Sequence, residues 1–188
     1  AVVTAGGDIT QNDGTLATAG GDMSVAAATL LNASGSIISA SQDTTIHANG
    51  VVNDGTVSSS GNANLYVVNH LETSGTIQSN DALFIQSSSL SNSGVIYGET
   101  NVALSIDQQL DNEKGQIGAG AGPVSLVIGG LDNTGGKIVA SSRDLTIQSR
   151  SSIINDSGII AAKNGSLTLS GGTISNGATG SIRAATQG

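Results

Sequence analysis

The sequence predicts an all-β fold, a parallel β-helix or solenoid of about nine coils with 19–22 residues each. Three observations predict it. A Gly-x-aliphatic triplet recurs nine times in 188 residues, its glycines 19 to 22 positions apart. Between the triplets, apolar residues alternate with polar ones over three to five positions, the period of a strand, and nowhere sustain helical spacing. The aliphatic residues are many but the aromatics are only Tyr66, Phe84 and Tyr97, with one proline and no cysteine.

In chain order the triplets are Gly14-Thr-Leu16, Gly35-Ser-Ile37, Gly55-Thr-Val57, Gly75-Thr-Ile77, Gly94-Val-Ile96, Gly115-Gln-Ile117, Gly136-Lys-Ile138, Gly158-Ile-Ile160 and Gly180-Ser-Ile182. Two to four residues before each glycine stands an asparagine: Asn12, Asn32, Asn53, Asn92, Asn112, Asn133, Asn155 and Asn176. Only the fourth unit departs, with Thr73. Two places before the asparagine comes an aliphatic residue, as at Leu30, Val51, Leu90, Leu110, Leu131, Ile153 and Ile174. About midway between glycines lies a second alternating strand: Leu65-Tyr-Val67, Leu83-Phe-Ile85, Leu104-Ser-Ile106, Leu126-Val-Ile128, Leu145-Thr-Ile147 and Leu167-Thr-Leu169.

A unit of about 20 residues cannot bury its own apolar face, whereas stacked copies can. A propeller blade needs about 40 residues. Antiparallel hairpins would place their Asn-Gly turns at one phase, but Asn49-Gly50, Asn164-Gly165 and Asn176-Gly177 fall at different phases. Stacking puts like on like, so inward aliphatic residues form ladders in a core too narrow for aromatics. The asparagine column reads as a turn device, with amides bonding to nearby backbone and to one another. The following glycine is expected to supply a backbone conformation that other residues resist. Residues 1–188 thus form a single repeat segment, and because residue 1 already lies within the pattern the segment reads as part of a longer shaft.

The tandem L-x-N-x-x-G-x-I units, with Gly-Gly-Asp turns such as Gly20-Gly-Asp-Met-Ser-Val25, resemble filamentous-haemagglutinin repeats across essentially the whole chain. The resemblance implies a right-handed β-helical shaft of a two-partner-secretion exoprotein, exported through an outer-membrane transporter and held at the bacterial cell surface. Within that family it implies an adhesin that contacts a receptor or glycan on host or neighbouring cells. The alternative is the stick of a contact-dependent growth inhibition protein that carries a C-terminal toxin. The family's secretion-domain Asn-Pro motifs have no match in these residues.

Composition excludes several functions. Without cysteine there is no disulfide framework and no thiol chemistry. No apolar run approaches the roughly 18–20 residues of a membrane-spanning helix, and no charged-then-apolar leader opens the chain. All six Lys and Arg lie at or after Lys114 and eleven of the fourteen acids before it, so net charge is −11 over residues 1–113 and +3 beyond. Such a chain is no nucleic-acid binder. A solenoid would turn that asymmetry into an acidic and a basic end, so end-to-end self-association of the segment is an expected partner mode.

No enzyme is expected. His47 and His70 lack a nucleophile context, and the acids are spread singly rather than clustered as a polysaccharide-cleaving β-helix requires. No cofactor or metal is expected. Gly6-Gly-Asp8 and Gly20-Gly-Asp22 read as turns, since the second half of the calcium nonapeptide is missing. Asn32-Ala-Ser, Asn155-Asp-Ser and Asn164-Gly-Ser match the glycosylation pattern, but the first two belong to the structural column. One candidate contact patch remains. Tyr66 and Phe84 should point outward from adjacent coils and stack about 4.8 Å apart, with His70 nearby and Tyr97 as a further candidate.

Overall fold

A computed structural model describes residues 1–185. Among them the strands fall into nine successive coils, and they pair in parallel with the strands of the coils before and after. One sheet has 13 strands and the other nine. The long strands Met23–Asn32, Thr44–Asn53, Ala63–Thr73, Asn101–Asp111 and Val124–Asp132 each turn a corner and supply two walls. Elsewhere the corner splits the strand, as in Ala82–Ser87 and Ser89–Asn92. The nine-stranded sheet, running from Thr15–Ala17 to Ser181–Ala184, is the third wall.

Alternation decides which side chains fill the interior. On the first wall Val25, Ile46, Leu65, Ile85, Leu104, Leu126 and Ile147 stack in register. The second wall adds Leu30, Val51, Leu71, Leu90, Leu110, Leu131 and Ile153. The third adds Ile38, Val57, Ile77, Ile96, Ile117, Ile138 and Ile160. All of these are essentially fully buried, and no aromatic ring lies among them.

Register corrects two positions of the expected repeat. Leu16 aligns with Ile38, so Ile38 enters the core while Ile37 points out, 40% exposed, and Ser36 takes the glycine position. Gln11 aligns with Asn32, which leaves Asn12 exposed and one residue outside the column. The Gln11 amide does the column's work, donating to the carbonyls of Gly14 and Ile37.

The glycine's role also differs from expectation. Left-handed backbone falls on the residue before it: Asp13, Gly35, Lys114, Gly135 and Ser157 have φ between 50° and 81°. The glycine itself is required by close approach. A β-carbon at Gly75 or Gly94 would stand 2.0 Å from a carbonyl oxygen of the coil below. That carbonyl accepts the next residue's N–H, from Thr76 at 2.8 Å and Val95 at 2.9 Å.

The asparagines form the expected interior ladder, in two pieces. The buried Asn92, Asn112, Asn133 and Asn155 and the exposed Asn176 at the end are joined in sequence by Nδ2–H···Oδ1 bonds of 2.6–2.8 Å. Below them Asn32 donates to Asn53 at 2.7 Å, and Asn53 donates to the Thr73 hydroxyl at 3.1 Å. Thr73 turns its own proton back to the Asn53 carbonyl. Asn92 Oδ1 is therefore buried without a donor. Replacing Thr73 by asparagine is expected to join the two ladders and to raise the melting temperature by about 2–4 °C, the worth of satisfying one buried acceptor. Differential scanning calorimetry checks this; an unchanged or lower melting temperature refutes the account of the break.

Candidate functional site

The outward faces carry the candidate residues, and the coils distribute them over three walls. Tyr66 and Phe84 lie on the first, His70 on the second and Tyr97 on the third. His70 Nδ1 pairs with the Ser89 hydroxyl at 2.8 Å. The Tyr97 hydroxyl donates to Glu99 Oε2. That bond, partial burial and the charge of Glu99 together push the phenol's pKa up. Neither residue belongs to a patch with the other aromatics.

Tyr66 and Phe84 do meet, but not as equivalent positions of adjacent coils. Leu65 aligns with Ile85, which places Phe84 opposite Asn64 and Gln86 opposite Tyr66. The first wall has three inward positions per coil (Ala63, Leu65 and Val67 in the fourth), and the sequence triplets sample different pairs of them. The two rings consequently touch on the diagonal, centroids 5.7 Å apart and planes 52° apart.

The direct neighbour of Tyr66 is His47, in register one coil below. Their rings lie face to face, 4.8 Å between centroids and 9° between planes. In the sequence His47 has no nucleophile context and is not placed in the contact patch. Its phase is the signal that could have found it: Thr44 and Ile46 align with Ala63 and Leu65, which puts 47 under 66.

The stacked His47 and Tyr66 rings border a cleft of the outer surface of about 500 Å³, lined by Ala5, Gly6, Ala26, Ala27, Ala28, His47, Ala48, Asn49, Tyr66, Val67, Val68 and Gln86. Two local features shape it. The outward column that carries Tyr66 and His47 continues downward as Ala26 and then Thr4, so bulk ends at His47. At the corner above, the strand Ala63–Thr73 holds one more residue than its neighbour below, a register shift that throws Val68 outward to 67% exposure beside Tyr66.

The carboxylates have other employment. Asp8, Asp22, Asp43 and Asp144 each accept a backbone N–H from the next coil, from Thr29, Asp43, Asn62 and Ser166 at 2.7–3.2 Å. The two Gly-Gly-Asp turns expected from sequence are thus caps for the coil above. Among the described residues no group of three His, Asp or Glu is arranged to hold a metal ion. Asn32 and Asn155, two of the three glycosylation matches, are wholly buried.

Compared with family models, characterised proteins and solved structures, the chain matches none.

Proposed function

We propose that the chain is a non-enzymatic shaft segment of a large secreted bacterial surface exoprotein of the two-partner-secretion type. It extends from the outer membrane and mediates or presents contact with other cells. The observation that carries this reading is the continuity of three aliphatic ladders along successive coils of one cross-section, beside an asparagine ladder interrupted once at Thr73. A rod of this kind transmits position over a length set by the number of coils, each adding about 4.8 Å. Two further features support it: the repeat's resemblance to filamentous-haemagglutinin units, and the use of the aspartates as caps between coils.

The test is localisation in the source bacterium. Antibodies raised against the chain are expected to label intact cells at the outer surface, and deleting the partner outer-membrane transporter should abolish that labelling. Label confined to the cell interior overturns the proposal.

A further inference from the structure

The shaft reading leaves one feature without a mechanical purpose. An aromatic stack buried inside a rod adds packing; here it stands outside the rod, and one of its faces is uncovered. Tyr66 covers the upper face of His47. The lower face looks toward Ala26, whose methyl fills little of the column. Beside it the floor of Ala26, Ala27 and Ala28 ends at β-carbons, so a ring-sized space opens against a flat imidazole.

The chemistry of the rim narrows what can enter. None of the twelve lining residues carries a formal charge other than His47 when protonated. Asn49, Gln86 and the Tyr66 hydroxyl supply amide and phenol groups, and none of the three makes a side-chain hydrogen bond among the described residues. The coils around the cleft belong to the acidic part of the chain, −11 over residues 1–113, which repels polyanions. A peptide cannot enter by strand addition, because the strands Met23–Asn32, Thr44–Asn53 and Ala63–Thr73 are each paired on both sides. What fits is a ligand with a flat C–H face, many hydroxyls and no charge.

We propose that this cleft binds a neutral saccharide, with one sugar ring lying on the open face of His47 over Ala26 and its hydroxyls meeting Asn49, Gln86 and the Tyr66 hydroxyl. Val68, thrown outward by the extra corner residue, closes the upper side. Recognition combines ring-face contact with a small number of placed polar groups, the usual composition of a small-ligand site. The proposal names the ligand class for the contact role of the shaft and rests on that part of the reading, not on the export route.

The experiment starts from a glycan array holding neutral, sialylated and sulfated chains, probed with the isolated segment. A neutral chain found there is then titrated by NMR, following the ring resonances of His47, Tyr66 and Phe84. The expected result is saturable shifts of these rings, with affinity weakened by about tenfold or more in His47→Ala. Ala26→Tyr is the sharper variant, because it leaves His47 and every polar group of the cleft in place and fills the space below the imidazole. It should keep the wild-type melting temperature or exceed it, and lose binding. Tyr97→Phe, on another wall, should bind as wild type does. Binding only to sialylated or sulfated chains, no binding to any chain, or an Ala26→Tyr protein that binds normally overturns the proposal. Each of these outcomes leaves the surface-labelling test untouched, so the two readings fail separately.

Discussion

Replacing Gly94 by alanine is expected to cost about 3 kcal/mol and to lower the melting temperature by roughly 6–12 °C. A single methyl group is small, but here it has no room. The added β-carbon would stand 2.0 Å from the Gly75 carbonyl oxygen and 2.6 Å from the carbonyl carbon and oxygen of Ser74. These are backbone atoms of the coil below, and they cannot move alone. The Gly75 carbonyl already accepts the Val95 N–H at 2.9 Å, so pushing it away breaks a bond that holds the two coils together. Gly94 is not among the residues with positive φ, and alanine suits its backbone. The loss therefore measures contact between coils and not conformational strain. Gly14 provides the control, since its β-carbon would meet nothing nearer than 3.6 Å. Gly14→Ala should melt within about 2 °C of wild type. Equal losses in the two variants would show that the column's glycines serve backbone freedom after all.

Asn112→Ala is the second large effect, about 1–3 kcal/mol by thermal or urea unfolding. The Asn112 side chain is wholly buried. Its amide donates to Asn133 Oδ1 at 2.7 Å and to the carbonyls of Gly115 and Lys137 at 3.3 and 3.4 Å. Its Oδ1 accepts from Asn92 at 2.7 Å. Truncation strands the Oδ1 of Asn133, and Asn92 keeps only the longer bond to the Gln116 carbonyl, 3.2 Å. The turn amides around Gly115 should exchange faster with solvent, because the turn loses the side chain that fastens it to both neighbouring coils. A variant that melts as wild type does would mean that the ladder fills space and contributes nothing as a set of hydrogen bonds.

The period, the strand content and the aromatic-free interior were legible in the sequence because each follows from local chemistry repeated at one spacing. Phase was harder. Where two aliphatic residues stand together, as Ile37 and Ile38 do, the triplet cannot tell which faces inward, and the choice fell on the wrong one. Turns of one to three residues between asparagine and glycine made Asn12 look equivalent to Asn32, although Gln11 holds that position. On the first wall three inward positions per coil allowed Leu65 to be matched with Leu83 in place of Ile85. That slip placed Phe84 above Tyr66 and hid His47 beneath it. The reason for the glycines lay beyond any local reading, since the atoms they make room for are about 20 residues away in the chain.

The amide ladder also has a sense. From Asn92 to Asn155 each Nδ2–H donates to the following coil, and from Asn112 to Asn176 each Oδ1 accepts from the preceding one. Small dipoles aligned head to tail add, as peptide dipoles do along a helix. At the entry to the third wall the backbone bond runs the other way, the residue after each column glycine donating to a carbonyl of the earlier coil, as Lys137 N does to Gly115 O. A finished coil such as the one ending at Ala140 thus presents the Asn133 amide and, at either end of the third wall, the Gly136 and Ala140 carbonyl oxygens to the chain that comes next. The rod's interior is vectorial: it distinguishes forward from backward, and each turn is the template on which its successor is laid.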